Sequence, residues 1–223
     1  MIRIGIIGAG RFGSSLAEAL AKLGVEVLLM DRDQEVVETM ASVIAKAVEG
    51  NATSVKALNA AGFADCDVVV VAMGSNLEGS VLATLSLKEM KVPRIIARAI
   101  NDMHATALKR VGADSVVDPN KDMAARIART LVKPSVLDYV ELTKGASILE
   151  VIAPPKYIGK TLFESKIRST YDVTILALRR HKQPDGSMEN IISPKANDVI
   201  QKGDTLLMFG TDKNLAKLEK AFE

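Results

Sequence analysis

The sequence predicts an α/β protein in which a Rossmann-like, doubly wound parallel sheet is followed by a small α+β domain. Three observations carry this reading. Short apolar runs alternate with helical patterns through the first 135 residues, as βαβ units require. A glycine-rich turn, GAGRFG at Gly8 to Gly13, sits between the first run and the first helical pattern. The rhythm then changes after the segment 121–132, which ends before Pro134, since the residue preceding a proline avoids the helical region.

Each element has its own signal. Ile2 to Ile7 is an apolar run, and after the glycines Leu16, Leu20 and Leu23 recur at helical spacing, giving strand, turn and helix. Val25 to Met30 is a second run ending on Asp31, followed by a helix around Val36, Val37 and Met40. Ala45 to Val48 reads as the third strand. Asp67 to Ala72, with four consecutive valines, reads as a strand buried on both faces. Arg94 to Ile100 and Ser115 to Asp118 supply two more, separated by helices around 77–90 and 102–111, with Gly112 as a carboxyl-terminal cap. Residues 1–135 form the first domain on this reading and residues 136–223 the second. In the latter, Ser147 to Ala153, Val173 to Arg179 and Thr205 to Phe209 are strand-like, and Pro184-Asp185-Gly186 is turn chemistry.

Composition narrows the function. The 223 residues are 48% hydrophobic but only 4% aromatic, without tryptophan, so the cores are aliphatic. A formal net charge of +2, spread evenly over the two halves, argues against sequence-independent nucleic-acid binding. The single Cys66 cannot form an internal disulfide, and no Cys/His cluster has metal-ligand spacing, which suits a reducing cytoplasm. No stretch approaches the roughly 20 apolar residues of a membrane helix.

The glycine turn has the G-x-G-x-x-G form in its expected context: after a strand, opening a helix, within a βαβ unit of about 30 residues. Gly8 serves the tight turn, Gly10 the approach of a phosphate, and Gly13 helix–strand packing. The helix start offers free N–H groups and a positive dipole end to an anion. Asp31, closing the second strand, accepts hydrogen bonds from ribose hydroxyls and disfavours a 2′-phosphate. Arg32 beside it tolerates such a phosphate, stacks on adenine or sits in solvent. Asn51, Ala52 and Thr53 follow the third strand, and Ala72, Met73, Gly74, Ser75 and Asn76 the fourth, where doubly wound sheets place ligand contacts. Asn51 to Ser54 is either an adenine contact or a turn with a helix cap, and Asn76 a contact or a cap.

Enzymatic chemistry has little to work with. A dehydrogenase needs an acid/base group near the nicotinamide, but His104 falls in a helical pattern and His181 in a polar loop, both reading as surface histidines, and Cys66 reads as packing. A small NAD-dependent oxidoreductase is the alternative this argument ranks second.

GAGRFG, LLMDRD at Leu28, GNAT at Gly50, VVAMGSN at Val70 and GADSVVDPNKDMAARIA at Gly112 together resemble the RCK domain of Trk/Ktr-type potassium-uptake regulators. IRSTYDVTILALRR at Ile167 and IQKGDTLLMFG at Ile200 resemble the companion carboxyl-terminal RCK domain. The resemblance implies a cytosolic regulatory subunit without catalytic residues, forming a dimer-based, commonly octameric ring beneath a membrane potassium-translocating subunit. ATP/ADP or NAD(H) is its implied regulatory ligand, with Arg11 matching the arginine that reads a terminal phosphate and Phe12 completing the turn. Arg98 matches a basic position near the phosphates, where a structural ion pair is the other reading. Asn120 stands where the family often carries an acidic residue linked to cation binding; amides are poorer ligands for hard cations, so no metal site is expected. Cyclic di-AMP is the implied ligand of the second domain, with Ile167, Arg168 and Ile175 as its candidate cleft. Met123, Ile127, Leu131 and Val132 share a helix face suited to self-association.

Overall fold

The computed structural model describes residues 2–74, 76–132, 136–181 and 188–222. Ser75, Pro134 and the expected Pro184–Gly186 turn lie outside the described residues. The chain divides into two compact units, Met1–Lys121 and Asp122–Glu223.

The first unit is built from β1 (Arg3–Ile7), α1 (Arg11–Lys22), β2 (Glu26–Asp31), α2 (Gln34–Ala41), β3 (Lys46–Glu49), α3 (Val55–Ala61), β4 (Val68–Val71), α4 (Leu77–Glu89), β5 (Ile95–Arg98), α5 (Asp102–Arg110) and β6 (Ser115–Val117). The six strands lie in the order β3-β2-β1-β4-β5-β6, and every pairing is parallel. Because side chains alternate across a strand, consecutive apolar residues feed two separate cores. Ile7, Leu28, Met30, Val69 and Val71 enter one, while Ile6, Val27, Leu29 and Val70 enter the other. This two-sided burial is why the strands read as unbroken apolar runs. The strand order reverses between β1 and β4, which opens a crevice at their carboxyl ends. Gly112, at φ +112°, follows the last turn of α5 in the left-handed region, as its sequence position suggests.

A helix, α6 (Pro119–Val132), leads to the second unit. There β7 (Val136–Thr143), β8 (Ala146–Ile152), α7 (Leu162–Ser165), α8 (Ile167–Tyr171), β9 (Thr174–His181), β10 (Met188–Ile192), β11 (Thr205–Thr211) and α9 (Asp212–Phe222) follow. The sheet order is β10-β9-β11-β8-β7, with antiparallel pairing throughout. Leu149, Val151, Leu178, Leu206 and Met208 supply the sheet's part of the core, and Ile167, Leu215 and Leu218 the helical part. His181, expected in a loop, closes β9 and pairs with Met188 of β10. On α6, Met123, Ile127, Leu131 and Val132 are 50%, 49%, 75% and 77% exposed, so this apolar face is not packed away.

Candidate functional site

A cleft of about 680 Å³ opens at the carboxyl ends of β1, β2, β4 and β5, at the reversal of strand order. The glycine turn forms one wall. Gly8 has φ +96°, a conformation that side-chain-bearing residues avoid. A Cβ on Gly13 would lie 1.9 Å from the Gly8 carbonyl oxygen, so only glycine lets α1 descend this close to β1. Gly10 has nothing within 4 Å of where its Cβ would be, leaving a bare ledge at the helix start.

Asp31 holds the turn from the side. Its Oδ2 accepts a hydrogen bond from the Ala9 N–H at 2.5 Å, and its Oδ1 accepts from the Asp33 N–H at 3.0 Å. The Ser14 hydroxyl donates to the Ala9 carbonyl at 2.6 Å. Both polar groups of the Ala9 peptide segment are thereby fixed, and the loop is preorganised.

The helix starts divide into two kinds. Asp33 caps α2, Ser54 caps α3, Asn76 caps α4 and Asn101 caps α5, each accepting hydrogen bonds from first-turn N–H groups. Helix α1, opening on Gly10, has neither a side-chain cap nor an acidic residue in its first turn. Its free N–H groups and positive dipole end face the cleft, ready for an anion.

Three arginines line the cleft, on the glycine turn (Arg11), after β2 (Arg32) and at the end of β5 (Arg98). Arg32 Nη2 donates to Asn51 Oδ1 at 2.6 Å, and that oxygen also accepts from the N–H and hydroxyl of Thr53 at 3.1 and 2.8 Å. Asn51 therefore organises a turn and steadies Arg32, while Ser54 caps the helix. Among the described residues none of the three arginines has a carboxylate partner. The ion-pair reading of Arg98 is thus corrected: its guanidinium lies 5.6 Å from the centre of the Phe12 ring, and its Nε is buried without a hydrogen-bond partner.

Eleven of the fifteen expected contacts line the cleft: Gly8, Gly10, Arg11, Asp31, Arg32, Ala52, Ala72, Met73, Gly74, Asn76 and Arg98. Asn76 does so while capping α4. Phe12, Gly13, Asn51 and Thr53 do not line it; they support residues that do. Ile7, Met30 and Gly50 also line the cleft and went unread in the sequence, although each adjoins a residue that was singled out.

The lining is suited to holding a charged ligand. Among the described residues, Asp31 and the three arginines are the ionisable groups that line it. His104, expected at the surface, is 5% exposed. It turns inward because α5 packs against the small residues of α4, where its Nε2 meets the Ser80 hydroxyl at 2.8 Å. Cys66 is buried as expected, and burial pushes its thiol up to about 11, which keeps it protonated. In the second unit Ile167 is wholly buried in the core, Ile175 packs half-buried against it, and Arg168 is exposed. Ile167 is therefore a core residue in this unit and not part of an open cleft.

The fold and the cleft define a chain with a Rossmann-type binding unit and a small α+β unit. Residues 4–119 match the TrkA-N domain and residues 147–223 the TrkA-C domain. Over 215 residues the chain is 40% identical to the Ktr system potassium uptake protein C of Bacillus subtilis (strain 168), covering 96% of this chain and 95% of that protein. Among solved structures it resembles the GsuK channel bound to NAD, with a TM-score of 0.53 and 26% identity over 100% of this chain and 38% of that one. It also resembles GsuK bound to ADP, with a TM-score of 0.50 and 29% identity over 60% of this chain and 34% of that one. The chain spans well under half the length of those two solved chains. It belongs to the TrkA-N/TrkA-C family of potassium-uptake regulatory subunits, which are not enzymes.

Proposed function

We propose that the chain senses an adenine nucleotide, ATP/ADP or NAD(H), in the cleft of its first unit and converts the bound phosphate charge into a signal for potassium uptake. The observation that carries this reading is the charge arrangement of the cleft. Among the described residues, three arginines without carboxylate partners and the uncapped start of α1 face a space whose one lining carboxylate, Asp31, is engaged by backbone N–H groups. Such a site is electrostatically incomplete without an anion. The solved relatives holding NAD and ADP support the same ligand class.

Regulation requires that the ligand favour one assembly geometry over another. The exposed face of α6 supports a homo-oligomer, in this reading a dimer-based ring of eight subunits. The ring docks on the cytoplasmic side of a membrane potassium-translocating subunit, a reading supported by the likeness to Ktr potassium uptake proteins. Arg11, on the exposed side of the glycine turn, distinguishes ATP from ADP by meeting the additional phosphate with its forked donors. Exposed Arg168 is the remaining polar candidate for a cyclic di-AMP contact in the second unit.

A thermal-shift panel of ATP, ADP, NAD, NADH and NADPH tests the reading, because a ligand at about 100 times its Kd stabilises the folded state by about 2.7 kcal/mol. At least one of these ligands is expected to raise the melting temperature. Arg11→Ala is expected to weaken ATP by about 1–3 kcal/mol, the scale of a hydrogen bond to a charged group, while leaving ADP little changed. No shift with any of the five would overturn the assignment of the cleft, and an unchanged ATP preference in the variant would remove Arg11 from it.

A further inference from the structure

Phe12 lies inside the glycine fingerprint, yet it is not among the residues lining the cleft. The ring is half-buried, packed against the core that holds Ile6, Ala17 and Val70. Arg98 reaches it from the end of β5, with the guanidinium carbon 5.6 Å from the ring centre, inside the range of a cation–π contact. Gly74 lies on the path of the same side chain. A Cβ there would stand 2.9 Å from Arg98 Nη1 and 3.1 Å from its Cζ, so the missing side chain is what leaves room for the guanidinium. The buried Nε has no hydrogen-bond partner, and the described residues offer Arg98 no carboxylate.

From this geometry we infer that Phe12 and Gly74 are positioning residues for Arg98, holding its guanidinium at the phosphate end of the cleft before any ligand arrives. The inference rests on the nucleotide reading given above and deepens it. A guanidinium seated on an aromatic face keeps its N–H edges free for phosphate oxygens. A long, flexible arginine otherwise loses side-chain entropy on binding, and a ring that confines it beforehand reduces that loss. Gly13 and Gly74 divide the labour accordingly: Gly13 admits the helix, and Gly74 admits the arginine. The phosphate end of the site is thereby built from three chain segments, the α1 start, the turn after β4 and the end of β5.

The test compares the affinities of adenosine, AMP, ADP and ATP for the full chain, measured by calorimetry, in wild type and in Phe12→Leu, Phe12→Tyr, Gly74→Ala and Arg98→Ala. Arg98→Ala is expected to weaken ADP about tenfold or more. Phe12→Leu is expected to weaken ADP and ATP about two- to fivefold, the scale of one cation–π contact, with a smaller loss for AMP and least for adenosine. Phe12→Tyr, which keeps the ring, is expected to restore ADP binding. Gly74→Ala should follow Phe12→Leu, because the Cβ meets only the movable end of a side chain and displaces it. In the Arg98→Ala background Phe12→Leu is expected to have no further effect on ADP.

A loss equal for adenosine and ATP would mark Phe12 as a packing residue and overturn the inference, as would additive losses in the double variant. If wild type binds no nucleotide at all, the reading of the cleft falls with it. If wild type binds ADP and Phe12→Leu binds it equally well, only the positioning role falls.

Discussion

Arg98 in the first unit and Arg180 in the second both extend from strands, and their surroundings differ in kind. Arg180 donates from Nε and Nη2 to the two carboxylate oxygens of Asp204, each at 2.9 Å, and from Nη2 to the Val199 carbonyl at 2.9 Å. Asp204 is wholly buried and also accepts from the Gln201 N–H at 2.8 Å. Hydrogen bonding to Asp204 holds the Arg180 guanidinium above its ordinary pKa. Arg98 has an aromatic ring in place of the carboxylate, and an open cleft in front of it. A pair that satisfies its own charges around a buried carboxylate is architecture. A cation left with only a ring for company is matched to an anion that the chain does not supply.

The largest expected effect comes from breaking the closed pair. Asp204→Ala leaves the half-buried Arg180 guanidinium without its carboxylate and should cost about 1–3 kcal/mol of stability, the scale of lost hydrogen bonds to a charged group, measured by urea denaturation. Arg98→Ala, by contrast, removes a contact that no buried carboxylate depends on, and should change stability by less than about 1 kcal/mol. Equal losses in the two variants would erase the distinction between a structural and a ligand-facing arginine.

A smaller effect concerns His104, whose contact with α4 is satisfied in a third way. The Ser80 hydroxyl donates to the Leu77 carbonyl at 2.8 Å, so its oxygen accepts from His104, and Nε2 carries the proton. Nδ1 is buried without a partner, and desolvation holds the imidazole below its ordinary pKa of 6.5. Protonation is therefore easier in the unfolded chain. The stability contributed by neutral His104 is complete above about pH 6.5 and is lost as pH falls through the depressed folded value. The melting temperature of wild type should fall more steeply between pH 7 and pH 5 than that of His104→Gln. Parallel curves would show that His104 takes up protons equally in the folded and the unfolded chain, so that burial does not depress its pKa.

The same contrast explains what the sequence reveals. In the first unit β2, β1, β4 and β5 each have neighbours on both sides and helices to cover them, so Val69, Val70 and Val71 appear as a run whose meaning is plain. In the second unit β7 lies at the sheet edge, and Asp138 and Glu141 interrupt its apolar residues, which hid it. Helix α7 has four residues, too few for a helical period, although Thr161 and Glu164 form the reciprocal capping box that a T-x-x-E pattern signals. Leu215, Leu218 and Phe222 on α9 carried a readable spacing that the strand-like segments overshadowed.

The cleft was legible wherever its residues follow a strand end, because the position of such residues is set by topology. Contacts between segments distant in the chain were not legible. Nothing in GAGRFG says that its phenylalanine meets an arginine on β5, or that the missing side chain of Gly74 leaves room for that arginine. His104 was misread for a related reason: the small residues on α4 that allow it inward, Ser80, Ala83 and Thr84, carry no helical hydrophobic signal of their own.

The most direct test of the central claim is a calorimetric titration of the full chain with ADP and with adenosine, at low and at high salt. Phosphate recognition by unpaired arginines and a helix start predicts that ADP binds at least about tenfold more tightly than adenosine, the equivalent of one charge-assisted hydrogen bond. It also predicts that this advantage shrinks as salt screens the partly exposed charges. Equal affinities for the two ligands, or an ADP advantage indifferent to salt, would contradict it.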